Sequence, residues 1–277
     1  VSDTGCTVFL QWALPQANLR WAGFRKVRRQ VCKRLKRRMD DLRLADFASY
    51  RVRLETDLAE WAVFDECCHI TISRFFRDRG VFEILRRRVL PDIAARARRE
   101  GRDARIWSAG CASGDEPYTL RILWSLEVAS SFPSVSLSII ATEIDKAMLA
   151  RAQEGCFEAT SLHELPAHLV GQAFDQMRSR FCIKAPHRQG IEFLCQDLRT
   201  EMPAPAFDLI LCRYVAFTYF AAPLQRSVLY RIVDRLLPDG YIVIGGHEKL
   251  PDGGAALLPL PGAPQIFTNR GVAIVRA

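Results

Sequence analysis

From Gly101 onward, short apolar runs alternate with amphipathic helical stretches, a rhythm that few architectures accept. Residues 104–108, 136–141, 191–195, 207–212, 241–245 and 272–275 read as strands, and residues 116–129, 146–154 and 223–236 as helices between several of them. Strands and helices in alternation imply a parallel, doubly wound sheet. Pro238-Asp239-Gly240 marks a turn ahead of a strand, and Pro251-Asp252-Gly253-Gly254 opens an irregular stretch reaching Pro264.

Ahead of this region the period changes. Phe47, Tyr50, Leu54, Leu58, Trp61 and Phe64 recur at three- and four-residue steps, continuing a helical pattern that runs from about residue 18 to 89, and a further helix is expected over 81–99. The expected organisation is α/β: a small N-terminal helical domain with a basic helix and linker (1–89), then a Rossmann-like domain (90–277). At 277 residues the chain is long enough to bury a core for both.

Charge is unevenly placed. Of the net +8, residues 20–38 hold ten Arg or Lys and no acid. Val27, Val31, Leu35 and Met39 recur every four residues there, so one stripe can pack while the cations stay in water. A basic helix over 25–38 is either a solvated face or a dock for an acidic partner; of the candidate partners an acidic protein is preferred to nucleic acid.

No run of 18 apolar residues occurs, and the first twenty residues lack the layout of a signal peptide, so a cytoplasmic protein without membrane insertion is expected. Nine cysteines without a CxxC pair argue against zinc and against a disulfide framework, and reduced thiols are expected. Cys111, Cys195 and Cys212 fall in strand-like surroundings suited to a small hydrophobe. His69, His163, His168, His187 and His247 have no metal-like spacing, and no metal site is assigned.

The strand at Arg105-Ile106-Trp107 runs into Ser108-Ala109-Gly110-Cys111-Ala112-Ser113-Gly114 and then a helix. Small residues at such a turn let a ligand approach backbone N–H groups. Gly110, Ala112 and Gly114 suit a dinucleotide loop, an S-adenosylmethionine loop or a plain tight turn. Glu143, ending the second strand in Ala141-Thr142-Glu143-Ile144-Asp145, is placed to accept both ribose hydroxyls, while Asp145 is placed to cap the following helix. A dinucleotide domain sets its acid about 20 residues after the glycines. Here the gap from Gly114 to Glu143 is nearer thirty and no third glycine follows, which favours a nucleoside cofactor without phosphates. Asp197, after the run Glu192-Phe193-Leu194-Cys195, can accept from an adenine amino group while Leu198 packs on the ring, or it is an ordinary strand-end acid.

In their order along the chain these motifs resemble the CheR-type chemoreceptor methyltransferases, which methylate glutamate side chains of bacterial chemoreceptors. The resemblance covers about residues 20–250. It rests on Ser73-Arg74-Phe75-Phe76-Arg77 (T-x-F-F-R in the family), Gly110 to Tyr118 (G-C-S-T-G-E-E-P-Y), Ala141 to Asp145 (A-T-D-I-D), Phe207 to Arg213 (F-D-x-I-x-C-R), Tyr219-Phe220 and Gly245-Gly246-His247-Glu248 (L-G-x-S-E). It implies a class I S-adenosylmethionine methyltransferase domain whose product is S-adenosylhomocysteine. It also implies roles. Thr71, Ser73 and Arg77 would line the methyl-transfer cleft, and Gly110 and Ala112 the cofactor turn. Asp115 would approach the methionine amino group, Glu143 with Ile144 the ribose, and Asp197 with Leu198 the adenine. Arg213 and Tyr219 would sit near the reacting centre, with Arg77, Arg213 and Tyr219 as the catalytic set, and Thr71, Ser73, Arg77, Arg213 and Tyr214 would also touch the cofactor. A carboxylate acceptor is ionised at neutral pH and needs no general base, so a cationic Arg77 beside the Tyr219 hydroxyl would suffice to orient it.

The chain departs from the family pattern in places. The family's C-R-N-V-x-I-Y-F becomes Cys212 to Phe220, with Tyr214 in place of Asn and one extra residue, near Thr218, before Tyr219. Such an insertion would turn Tyr219 from the cleft. The β-subdomain expected about 174–190 is shortened. Ser73 for Thr and Glu143 for Asp keep their hydrogen-bonding groups. Three readings stay open: a protein-glutamate O-methyltransferase docking an acidic helical partner, a relative redirected to a small molecule or a non-carboxylate acceptor, and a non-catalytic cofactor-binding regulator.

Overall fold

The computed structural model describes residues 3–204, 206–252 and 257–270; the strand expected at 272–275 lies outside them. By its contacts the chain forms two compact units, one running to Ile70 and joined by Thr218–Gln225, the other comprising Thr71–Phe217 and the chain from Arg226 onward. Residues 71–89, expected with the helical domain, thus belong to the second unit. Phe75, Phe76, Val81, Phe82, Leu85 and Val89 explain why: they are buried in one apolar cluster with Ile106, Ile139 and Leu209 of its strands.

The first unit is helical, with Asp3–Gln16, Trp21–Phe24, Arg28–Asp41, Phe47–Thr56 and Glu60–Cys68. The first of these helices precedes the pattern noted in the sequence. Its Phe9 stacks on Phe47 at 5.0 Å and meets Phe64 edge-on at 6.0 Å. The basic stretch is not one helix: the chain leaves helical geometry at Val27 (φ −104°, ψ 1°) before Arg28–Asp41 begins. Val31, Leu35 and Met39 are buried as their spacing requires. Arg38 turns inward, because its Nε and Nη2 donate to the buried Glu60 carboxylate at 2.9 and 2.7 Å, which also accepts from the Tyr50 hydroxyl.

Ten strands occur among the described residues: β1 (Ala104–Ala109), β2 (Leu137–Glu143), β3 (Cys156–Glu158), β4 (Phe174–Met177), β5 (Arg180–Ile183), β6 (Ile191–Cys195), β7 (Phe207–Leu211), β8 (Leu236–Val243), β9 (Leu257–Leu260) and β10 (Ala263–Asn269). Seven form a sheet in the order β6-β2-β1-β7-β8-β10-β9. From β6 to β8 every pairing is parallel, and β10 runs antiparallel to β8 and β9. β7 is buried along its whole length, as a central parallel strand covered on both faces must be. The winding reverses between β1 and β7, so the carboxyl ends of β1, β2 and β7 flank the crevice where such sheets take ligands. The stretch expected to be irregular before Pro264 instead contributes β9 and the start of β10.

The remaining strands form a separate antiparallel sheet, β3-β5-β4. Its β4–β5 hairpin occupies the segment expected as a reduced subdomain, and Arg178 takes φ +57° in the turn. Two disulfides correct the expectation of reduced thiols: Cys6–Cys32 joins the first helix to the basic one, and Cys156–Cys182 joins β3 to β5. Each pair is 26 residues apart in sequence, a distance that conceals their proximity in the fold. Cys111 and Cys212 are buried thiols, whereas Cys195, at the end of edge strand β6, is exposed rather than packed. No helix among the described residues is long and apolar enough to cross a membrane.

Candidate active site

The turn after β1 has a backbone that side chains would obstruct. Gly110 and Gly114 sit at φ +79° and +89°. A Cβ on Gly110 would lie 2.4 Å from Val215 Cγ2, and one on Gly114 2.9 Å from Ala152 Cβ. The Gly110 and Cys111 N–H groups donate to the Thr142 carbonyl at 2.8 and 2.9 Å, which fastens the turn to the end of β2.

Glu143, at that end, is buried. Its Oε1 accepts from the N–H groups of Ile144 and Asp145 at 2.8 and 3.0 Å, and its Oε2 from Ala112 N–H at 2.9 Å. Three backbone donors hold the carboxylate, and Oε2 keeps a lone pair for one further donor. Asp145 caps the next helix by accepting from Ala147 and Met148 N–H.

Asp115, the first residue of helix Asp115–Leu123, is fully buried. Its Oδ2 accepts from the Ser113 hydroxyl at 2.6 Å, and the Ser73 hydroxyl adds a second pull toward the ionised carboxylate. Its Oδ1 is buried with no partner. Burial raises this carboxyl above the ordinary carboxylate range, against the pull of those two hydroxyls. Ser73 is held here because the aromatic pair behind it is core: Phe75 meets Phe157 and Phe174 edge-on at 4.7 and 5.2 Å, and Phe76 stacks on Phe82 at 5.3 Å. Thr71, two residues ahead of Ser73, is half-buried.

Arg213, just after β7, is a strut. Its Nη1 donates to Glu116 Oε2 at 2.7 Å, and its Nη2 to Asp78 Oδ2 and the Arg77 carbonyl at 2.8 and 2.7 Å. Both terminal nitrogens are therefore engaged by this chain. Tyr214 takes φ +58°, rare for a side-chain-bearing residue, and several bonds keep it there. Its N–H donates to Glu248 Oε2, its hydroxyl donates to Asp78 Oδ2 at 2.6 Å, and the same hydroxyl accepts from Gly246 N–H at 2.9 Å. The Arg77 guanidinium lies 4.0 Å from the Tyr214 ring centroid. Arg77 donates to the Ile72 carbonyl and forms no ion pair among the described residues.

Asp197 follows β6 beside the end of β2, and Arg199 closes its carboxylate, Nε donating to both oxygens at 2.9 Å. Leu198 is buried next to it. The structure thus brings Ser73, Arg77, Gly110, Ala112, Asp115, Glu143, Ile144, Arg213 and Tyr214 to the carboxyl ends of β1, β2 and β7. Tyr219 belongs to the helical unit, its ring 4.8 Å from Phe24 and its carbonyl accepting from Arg20 N–H. Sequence patterns did not single out the acids that hold Arg213 and Tyr214, namely Asp78, Glu116 and Glu248, nor Gln196, whose buried Oε1 has no partner. Glu116, Glu248 and Gln196 stood within recognisable motifs, which was the available signal; Asp78 gave none. No metal-binding cluster of His, Cys, Asp or Glu occurs among the described residues.

Residues 71–259 match the family model described as CheR methyltransferase, SAM binding domain. The chain belongs to the CheR methyltransferase family. This CheR chain is 33% identical over 225 residues to chemotaxis protein methyltransferase 2 of Pseudomonas aeruginosa, covering 79% of this chain and 78% of that one. It is 31% identical to a probable chemotaxis protein methyltransferase of Rhizobium etli, across 89% of this chain and 90% of the relative. An uncharacterized 104.1 kDa protein of Rhodobacter capsulatus is 32% identical over 79% of this chain, which spans only 23% of that protein's length. The CheR chain is a methyltransferase that uses S-adenosylmethionine. Its residues fit that cofactor: Asp115 Oδ1 is a buried acceptor lacking a donor, and an ammonium group supplies a charged one.

Proposed function

We propose that this CheR chain methylates a glutamate carboxylate on an acidic, helical, chemoreceptor-type protein in the cytoplasm. The observation that carries the reading is Arg77, a cation without an ion pair among the described residues, in the same segment as Ser73, whose hydroxyl favours the ionised form of the Asp115 carboxyl. Asp115 would hold the cofactor's ammonium, Glu143 Oε2 a ribose hydroxyl, and Asp197 with Leu198 the adenine. Bound there, S-adenosylmethionine would supply a methyl group on a sulfonium: a carboxylate oxygen would form a bond to the methyl carbon as the C–S bond opposite breaks, with neutral S-adenosylhomocysteine as the leaving group. Arg77 would orient that carboxylate, and the positioning it provides is the main demand of such a displacement. No residue is required to remove a proton, because the acceptor is already ionised. The names of the relatives, chemotaxis methyltransferases, favour the same acceptor class.

On the partner side, Arg25, Lys26, Arg29, Lys33 and Arg37 are exposed and would meet acidic side chains, whereas Arg38 is occupied by Glu60. The test is incubation with methyl-labelled S-adenosylmethionine and a cytoplasmic chemoreceptor fragment, followed by mild alkali. Release of labelled methanol is expected from a carboxyl ester. Label that survives alkali, or no transfer, would overturn the assignment.

A further inference from the structure

We propose that Tyr214 is a positioning residue whose ring seats the Arg77 guanidinium for the acceptor's carboxylate. The proposal rests on the carboxylate reading of the acceptor given above. Two arginines lie near this ring, and they differ in what is left of their charge. Arg213 is 5.7 Å from the centroid and is neutralised by Asp78 and Glu116. Arg77 is 4.0 Å away and has no carboxylate partner among the described residues. A guanidinium stacked on a ring uses its face, which leaves N–H groups at its edge for the two oxygens of a carboxylate.

The ring itself is fixed from several directions. The hydroxyl is bonded to Asp78 and Gly246, and the backbone N–H to Glu248. A Cβ on Gly245 would come within 2.6 Å of the ring, so the tyrosine needs a glycine at that position. The asparagine of the family motif offers no such face. The resemblance counts Tyr214 among the cofactor contacts; the proposal gives its ring a task on the acceptor side.

The test uses the full chain with S-adenosylhomocysteine bound, and reads the Arg77 Nε–H resonance by NMR, assigned through Arg77→Lys. In the parent protein and in Tyr214→Phe, ring current should shift this proton upfield, and titrated glutarate, a minimal dicarboxylate, should move it. In Tyr214→Asn the upfield shift should vanish and glutarate should bind at least about fivefold more weakly, while S-adenosylhomocysteine affinity stays within about twofold in all three proteins. That preserved affinity also shows that each variant is folded. The proposal is overturned if the parent lacks the upfield signal or its response to glutarate, or if Tyr214→Asn binds glutarate as the parent does. It is equally overturned if Tyr214→Phe loses as much as Tyr214→Asn, or if cofactor affinity falls in step. Absence of methyl transfer to a chemoreceptor fragment, with these signals intact, would refute the acceptor and not the seat.

Discussion

Asp115 governs how the cofactor site responds to pH. Burial holds its carboxyl above the ordinary value of 3.8, so in the folded, ligand-free protein it keeps its proton to a higher pH than an exposed aspartate does. A cationic ligand needs the ionised form. Cofactor affinity should therefore rise as pH climbs through the raised pKa, then level off above it. Stability of the ligand-free fold runs the other way. Between 3.8 and the raised value the folded state binds more protons than the unfolded one, so its stability falls as pH rises through that window. Calorimetric titration with S-adenosylhomocysteine from about pH 4 to about pH 7 should show the rise in the parent protein and a flat, weaker profile in Asp115→Asn. Equal profiles would remove Asp115 from the cofactor's binding set. At this scale the sequence was legible where chemistry follows chain position, as at Gly110, Glu143 and Asp145. It was illegible where it depends on distant partners: nothing near Arg213 in sequence announces Asp78 and Glu116, and these decide that it braces the site.

That brace joins three elements: the segment 75–78, helix Asp115–Leu123 and the turn after β7. Removing one partner from a buried, hydrogen-bonded ion pair leaves the others charged and unpaired, at a cost of about 3–5 kcal/mol. Arg213→Ala should accordingly lower the urea midpoint of the chain by that equivalent. A parent-like midpoint would mean the ion pairs contribute nothing net. Elements were readable from sequence in the same uneven way. β1, β2, β6 and β7 were foreseen because each is a short, largely apolar run, although β6 lies at the sheet edge and is only partly buried. β9 and β10 were not, because Pro251 to Pro264 carries the composition of a loop and the antiparallel edge tolerates it. Residues 71–78, expected within a helical pattern, are not helical, and the helix begins at Arg79.

Across the whole molecule, a net charge of +8 with ten cations in residues 20–38 makes partner association an electrostatic question. Exposed charges act over a Debye length of about 10 Å at 0.1 M salt and about 3 Å at 1 M. If an acidic helix is steered to this surface, kcat/KM for a chemoreceptor fragment should fall steeply with ionic strength, while S-adenosylhomocysteine affinity changes little. Reversing Lys33 and Arg37 to Glu should lower kcat/KM about tenfold at low salt and flatten the salt dependence, since both are exposed. Arg38 belongs to the same run of cations but should behave differently. Arg38→Glu would face the buried Glu60 carboxylate with a second negative charge, so it should destabilise the helical unit. Stopped-flow association and thermal unfolding separate the two outcomes. If Arg38→Glu unfolds normally and only slows association, the inward pairing with Glu60 is wrong. If Lys33→Glu/Arg37→Glu leaves the salt dependence intact, the acidic partner docks elsewhere.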